Sequence, residues 1–148
     1  MDEPKQHLQQ TLLEEIPIAG AMGITVEEYS GQRLTLRAPL ENNFNHKSTA
    51  FGGSLYSVAV LAGWGLLFLR LWERGRHGQI VIQESGIQYL HPVAEDIVAT
   101  CRLESETGFE TFMRVLERRG RSRLELRCSV EANGATAVRF NGRYVVQA

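Results

Sequence analysis

A run of apolar residues from Leu55 to Trp72 constrains this sequence more than any other feature. Polar residues interrupt its two ends, and its strictly apolar centre, residues 58–69, is only twelve residues long. Because a helix that crosses a bilayer needs about twenty apolar residues, the run predicts a helix buried in a soluble fold and no membrane span. A helix that is apolar around most of its circumference must be covered on most sides.

The residues that lead into this run are polar, and the last two lack side chains. The lead-in reads "NHKSTAFGG", residues 45–53. A buried core helix needs only the apolar part, so the polar entrance and the bare backbone at Gly52 and Gly53 require their own explanation. We expect the helix to run from about Thr49 or Ala50 to Arg74, with Gly75 as the glycine that terminates it.

The rest of the chain is expected to be one short helix and a set of strands. Asp2 and Pro4 predict an amphipathic N-terminal helix that stops at Pro17 and forms a lid or flap. Alternating apolar residues predict strands elsewhere, with a possible bulge at Gly86 and a hairpin at Asn133-Gly134. The predicted strands are two around the turn at 30–31, then 79–93, 96–105, 109–118, 122–132 and 135–146.

One long apolar helix and about six mostly antiparallel strands fit a sheet that curls around the helix. This is an α+β layer packing in a single domain, residues 1–148, and it is the architecture called the hotdog fold.

Composition excludes several classes of partner. Sixteen basic and seventeen acidic residues give a net charge of -1, so no global field attracts nucleic acid or an anionic membrane. The two cysteines, Cys101 and Cys128, lack the spacing of a metal site and are expected to be buried thiols in a reducing compartment. The N-terminus shows no signal-peptide pattern, and we expect a cytoplasmic protein.

Several short motifs occur in an order that resembles a known family. They are Ile16-Pro17, Met22-Gly23-Ile24, Ala38-Pro39-Leu40, the N-x-N-x-K-x-T-x-F-x-G-S-L block at 43–55, Gly63-Trp64 and Y-x-x-P-V at 89–93. The sequence resembles the yiiD C-terminal thioesterase family of the hotdog-fold superfamily. The resemblance implies a homodimer, often paired into a dimer of dimers. It also implies a fatty acyl thioester of coenzyme A or acyl carrier protein, bound beside the start of the central helix.

The same resemblance implies that a backbone N–H near the glycines binds the thioester carbonyl. In related proteins a His precedes the glycines, and a carboxylate commonly stands about two turns into the helix. Here those positions hold Phe51 and Val60, and the one acid of the helix, Glu73, lies at its far end. The usual acid or base is therefore absent.

The start of the helix has the chemistry of an oxyanion site. The first N–H groups of a helix lack partners and carry a partial positive charge, and glycine lets a carbonyl approach the backbone. Gly52, Gly53 and Ser54 are the candidates, with Phe51 beside them. The alternative is that the glycines only permit close packing of the helix on the sheet.

The polar residues of the lead-in have two interpretations each. Asn45 could orient a water or hold the thioester, or it could stabilise its own loop. Lys47 could meet a phosphate or the pantetheine arm, or be solvated, and His46 could act as a base with nothing to direct it. Ser48 and Thr49 are more readily explained as N-caps than as nucleophiles.

Further hydroxyl and acid groups follow on the helix and the next strand. Ser54, Tyr56 and Ser57 could face the pocket, but no G-x-S-x-G elbow supports a serine nucleophile, so water attack is the better mechanism. Glu84 and Ser85 interrupt an apolar strand. Glu84 could be the general base, or it could lie on the outer face of the sheet.

Two larger groups of residues could contact the ends of the substrate. Leu61, Trp64, Leu67 and Phe68 could wall an acyl tunnel or simply fill the core. Residues 114–127 hold six arginines against two glutamates, and could receive coenzyme A phosphates or an acidic carrier protein, or form a solvated hairpin.

The sequence therefore supports three functions. The first is an acyl thioesterase without metal or cofactor, since coenzyme A or the carrier protein is part of the substrate. The second is a non-catalytic acyl-CoA or acyl-carrier binding module that works with an N-acetyltransferase partner. A dehydratase is third and weakly supported, because it would need a His and an acid that face one pocket, a pairing that these motifs do not display.

Overall fold

The computed structural model describes residues 2–148, which form one curled six-stranded antiparallel sheet around a long helix. The strand order is β1-β2-β4-β5-β6-β3. The helices are α1 Glu3–Glu15, α2 Pro17–Ala21, α3 Leu40–Asn43, α4 Gly52–Glu73 and α5 Glu106–Arg119. The strands are β1 Thr25–Tyr29, β2 Arg33–Ala38, β3 Gln79–Tyr89, β4 Ile97–Arg102, β5 Arg121–Ala132 and β6 Ala135–Gln147. The α+β hotdog architecture with a short N-terminal helix is confirmed.

The long helix α4 is the centre of the core. By length and composition it could cross a membrane, but 67% of its most apolar 18-residue window is buried inside the protein. Strands β2 to β6 all contact it. Close packing explains one of its glycines, since a Cβ at Gly65 would lie 2.7 Å from Leu34 and 2.9 Å from Leu8. Gly75 ends the helix region in the left-handed conformation, as predicted.

Helix α1 covers one edge of the sheet. Asp2 caps it by accepting a hydrogen bond from the Lys5 backbone N–H, as predicted. The Gln9 side chain bonds the edge of β1, donating to the Ile24 carbonyl at 2.9 Å and accepting from the Val26 N–H at 2.7 Å. Leu8 and Leu12 are fully buried. In this structure α1 is therefore a docked part of the core and not a flap.

The strand predicted at residues 109–118 is wrong, because this segment lies in helix α5. Ser105 caps α5 by accepting from the Gly108 N–H, and Gly120 ends it at φ 71°. Four apolar side chains of α5, at helical spacing, are buried in the protein: Phe109, Phe112, Met113 and Leu116. The arginine-rich run 114–127 is accordingly the end of a helix and the start of β5, and not a hairpin.

Cys101 and Cys128 are buried free thiols that lie opposite each other on β4 and β5. The Cys128 thiol donates to the Ala59 carbonyl at 3.4 Å, and burial raises its pKa. The Cys128 thiol therefore stays protonated, and both cysteines pack as small core side chains.

Candidate functional site

The amino end of α4 leaves two backbone N–H groups free. Ala50 and Phe51 are tied to neighbouring segments, because their N–H groups donate to the Val93 and Asn43 carbonyls, each at 2.7 Å. The N–H groups of residues 54 and 55 both turn back to the Phe51 carbonyl, at 2.9 and 3.0 Å. The N–H groups of Gly52 and Gly53 find no acceptor within residues 2–148.

The helix begins two or three residues later than the sequence predicted. Phe51 is its N-cap residue, with φ -62° and ψ 135°, and no side chain in the described part of the chain caps the helix. The predicted N-cap roles of Ser48 and Thr49 are therefore wrong, since both lie in the turn before the helix. The absence of a side-chain cap is what leaves the two glycine amides available for another acceptor.

The two glycines make room for aromatic rings at the mouth of the site. A Cβ at Gly52 would lie 3.6 Å from the Tyr89 ring, an ordinary contact, whereas one at Gly53 would lie 2.5 Å from Phe51 Cε2. Close packing thus explains Gly53, while Gly52 has space to spare. The Phe51 ring that covers Gly53 is itself 57% exposed.

Three hydroxyl groups gather beside the first turn of α4. The hydroxyls of Tyr56 and Ser85 form a short hydrogen bond with each other. The Tyr89 hydroxyl donates to the Gly52 carbonyl at 2.9 Å. The Tyr56 ring is held edge-on against Phe140, with ring centres 5.6 Å apart. Partial burial, followed by the proximity of Tyr56, raises the pKa of Tyr89, so that its hydroxyl remains a donor at neutral pH.

A bulge in β3 brings two of these hydroxyls to the site. The pairing of β3 with β6 slips between Ile82 and Glu84, which places the extra residue at Gln83. Side chains that follow the bulge exchange faces, so Ser85 and Tyr89 point toward α4. The bulge predicted at Gly86 is wrong, because Gly86 pairs regularly with Asn141.

Because of the same bulge, the Glu84 side chain lies on the other face of the sheet. There its carboxylate pairs with Arg143, and its side chain is 69% exposed. The structure therefore does not bring Glu84 to the hydroxyl cluster. The Val60 side chain is half-buried, and the Val60 carbonyl accepts a hydrogen bond from the buried Tyr144 at 2.7 Å.

The Asn45 side chain forms its hydrogen bonds with residues of its own loop. Its Oδ1 accepts from the Lys47 N–H at 2.8 Å and the Thr49 N–H at 3.1 Å, and its Nδ2 donates to Thr49 Oγ1 at 2.9 Å. These bonds shape the turn before α4, and the Lys47 side chain is exposed beyond it. Asn45 has the geometry of a residue that positions Phe51 and the glycines.

The remaining candidates lie farther along α4. Ser57 Oγ donates to the Gly53 carbonyl at 2.8 Å, and Ser54 is half-buried in the first turn. Trp64 donates its ring N–H to the Ile80 carbonyl at 3.1 Å and stacks on Phe68 at 5.1 Å. That stack continues through His7 to Trp72, so it forms the contact between α1 and α4. Leu61 and Leu67 are buried core residues.

Acidic and imidazole groups are not part of this cluster. Within residues 2–148, no carboxylate or imidazole hydrogen-bonds to the five residues that form it, Gly52, Gly53, Tyr56, Ser85 and Tyr89. Over the same residues, no three His, Cys, Asp or Glu side chains come close enough to hold a metal ion. The chemistry available at this end of α4 is backbone and hydroxyl hydrogen bonding.

Tyr89 is the residue that sequence reasoning left out of the site. The signal was present, because Tyr89 begins the Y-x-x-P-V motif at the end of a strand. Its contribution could not be seen without the bulge, which decides the face of the sheet to which Tyr89 belongs.

Comparison with known proteins gives one family match. The sequence model of the family described as "Putative thioesterase (yiiD_Cterm)" matches residues 5–148.

Solved structures give close matches over the whole chain. A protein of unknown function from Chlorobaculum tepidum is 35% identical with a TM-score of 0.94, over 97% of this chain and 93% of its own. A Shewanella oneidensis protein named a putative thioesterase is 29% identical with a TM-score of 0.86, over all of both chains. A Pseudomonas aeruginosa protein described as a "Probable Thioesterase" shares the fold, at 22% identity and TM-score 0.82 over 99% of this chain and 97% of its own.

Proposed function

Because this chain belongs to the yiiD C-terminal family of thioesterases, we propose that it hydrolyses a fatty acyl thioester of coenzyme A or acyl carrier protein by water attack. The thioester carbonyl would rest against the free N–H groups at the amino end of α4.

The observation that carries this proposal is the pair of unpaired amides at Gly52 and Gly53. They lie at the positive end of a 22-residue helix. A carbonyl oxygen gains negative charge as water adds to its carbon, so each donor binds the transition state more strongly than the substrate. One such donor contributes about 3 to 4 kcal/mol to catalysis.

The reaction needs little beyond this donor and a placed water. The water oxygen forms a bond to the carbonyl carbon, and the tetrahedral intermediate collapses by breaking the C–S bond. The thiolate leaves and takes up the proton that the attacking water loses, and a carboxylic acid is released. The Tyr56–Ser85 pair lies one turn beyond the amides and supplies the hydroxyl groups that would orient the water.

We also propose that two copies join through β3, so that the site lies at a subunit boundary. The β1 edge of the sheet is covered by α1, whereas β3 is an eleven-residue edge strand whose Val81 and Tyr89 are 58% and 51% exposed. A long bare edge invites pairing with another strand. Phe51, exposed beside it, would be covered by the partner.

Light scattering after size exclusion tests this pairing. We expect a dimer, or a dimer of dimers, and a shift toward monomer in Val81→Lys. The control is Leu13→Lys, which changes an equally exposed apolar residue on α1. A wild-type protein that stays monomeric at micromolar concentration would contradict the pairing.

Hydrolysis of a panel of acyl-CoA and acyl-carrier-protein thioesters tests the function itself, with release of free thiol as the readout. We expect turnover with at least one chain length. The absence of a carboxylate at Val60 favours the rival function, a binding module that holds acyl thioesters for an acyltransferase. If the purified protein binds acyl-CoA in calorimetry and releases no thiol, the rival function replaces the first.

A further inference from the structure

A second cleft lies between α5 and β5, and it shares no residue with the site at the amino end of α4. Its volume is about 660 Å³, which is within the range of small-molecule sites. The floor is apolar, and the wall carries Arg119, Arg121 and Arg123. No Asp or Glu is among the described residues that line it.

The topology explains why three arginines meet here. Strand β4 pairs with β5 only from Arg127 to Val130, so the first half of β5 has no neighbour on that side. Helix α5 packs against β5 instead. The turn at Gly120 then sets Arg119 next to Arg121 and Arg123, which point to the same face because they are two residues apart on a strand.

These arginines differ from the cations that connect the end of α4 to α5. Arg70 of α4, and Arg74 and Arg76 just after that helix, each pair with a glutamate of α5. Within the described part of the chain, none of the three cleft arginines has a carboxylate within 4.0 Å. The dipole of α5 favours a cation in its last turn, but this does not explain the two cations on β5.

We propose that this cleft binds the phosphate groups of a nucleotide. Guanidinium groups match phosphate oxygens in a two-bond geometry, and three unpaired cations on one wall repel each other until an anion neutralises them. The cleft is several times larger than a phosphate ion. Its apolar floor of Phe112, Val115 and Val145 suits a flat base. At the rim, Gln83 accepts from Arg143 through Oε1 and keeps its amide N–H groups for a ligand.

Calorimetry on the 148-residue chain tests this without any turnover. Adenosine 3′,5′-bisphosphate and ADP should bind, and pyrophosphate should bind less tightly because it lacks a base. The double variant Arg121→Gln/Arg123→Gln should lose about tenfold or more in affinity, since two charge-assisted hydrogen-bonding groups are removed. Unfolding curves would show that the variant remains folded.

The matched control removes the same charge from the same run outside the cleft. Arg118→Gln/Arg127→Gln changes two exposed arginines of that run that neither line the cleft nor bond a residue that lines it. It should leave the affinity within about twofold of wild type, because charge–charge effects at a distance are screened. Equal losses in the two double variants, or no nucleotide binding at millimolar concentration, would overturn the proposal.

The nucleotide could be the nucleotide end of coenzyme A or a free nucleotide, and kinetics separate these sources. In the first case, the cleft variant raises KM for acyl-CoA and not for acyl-pantetheine, which has no nucleotide. In the second, both KM values stay unchanged while the loss of ADP affinity remains. A protein without thioesterase activity would sink the proposed function and leave the calorimetric result intact.

Discussion

The two ends of helix α4 differ in how many of their hydrogen-bonding groups already have partners within the protein. At the carboxyl end, Arg70 donates to both oxygens of Glu106 at 2.9 Å and to the Gly31 carbonyl at 2.7 Å, and lies over the Phe109 ring at 4.2 Å. At the amino end, Gly52 and Gly53 keep their N–H groups free and no charged side chain binds them within residues 2–148.

This difference separates structure from function. The carboxyl end is closed by ion pairs that fasten α5, so its hydrogen-bonding groups are already used. The amino end keeps donors that the fold does not need. A ligand gains most when it binds at a helix end that has unpaired N–H donors and hydroxyl groups nearby.

The largest expected effect is the loss of activity in Gly52→Pro, at the amino end of α4. Proline suits the first position of a helix, and Phe51 already has the extended backbone that a residue before proline requires. The change therefore removes one N–H with little strain. We expect kcat/KM to fall by about 100- to 1000-fold, measured by thiol release.

Gly52→Ala is its matched control, because it adds a Cβ at an ordinary 3.6 Å from Tyr89 and keeps the N–H. It should retain activity within about threefold, well under the factor of ten that 1.4 kcal/mol represents. If both variants lose activity equally, the cause is space and not the missing donor.

The next largest effect belongs to the opposite end and should appear in stability. Arg70→Met keeps the apolar stem and removes the bonds to Glu106 and Gly31. Since Glu106 is 46% exposed, we expect a loss of about 2 kcal/mol in the free energy of unfolding, below the range for fully buried pairs. Urea unfolding gives the number. A large drop in kcat for the folded variant would contradict the division between the two ends.

A smaller effect is expected from Tyr56→Phe, which removes one hydroxyl and keeps the ring against Phe140. If this hydroxyl orients the attacking water, kcat should fall by about tenfold, or roughly 1.4 kcal/mol, with little change in KM. Glu84→Gln is the comparison variant on the outer face of the sheet and should not change kcat. Loss of activity in Glu84→Gln alone would move the general base to β3.

The smallest effect is the pH dependence of the Arg70–Glu106 pair. The hydrogen bond from Arg70 holds the pKa of Glu106 below its ordinary value. Its stabilisation is therefore complete above the unfolded pKa of about 4.3 and is lost as pH falls through the lower folded value. The free energies of unfolding of wild type and Glu106→Gln, from urea curves, should differ by less than about 1 kcal/mol at pH 7 and converge as the pH falls through the folded pKa of Glu106. A constant difference would contradict this.

Sequence reasoning predicted the elements that hydrophobic periodicity defines. The run at 58–69 was long enough to identify α4, and the alternation in β5 and β6 identified those strands. Helix α5 was missed although Phe109, Phe112, Met113 and Leu116 have helical spacing, because aromatic and β-branched residues between two strands favoured a third strand. The sequence signals that indicate this helix are the N-cap residue Ser105 and the terminating glycine, Gly120.

The candidate site was predicted only in part, for a different reason. Free amides at a helix start follow from local geometry, so Gly52 and Gly53 could be named from the sequence. The hydroxyl cluster depends on the bulge at Gln83, which exchanges the faces of Glu84 and Ser85. No local pattern marks that bulge, because it is set by the pairing of β3 with β6.

A crystal structure with a ketone analogue of acyl-CoA, in which a methylene replaces the sulfur, tests the central claim most directly. We expect the analogue's carbonyl oxygen to lie about 2.7 to 3.1 Å from the N–H nitrogen of Gly52 or Gly53. A carbonyl bound elsewhere, with both amides facing solvent or protein, would contradict it.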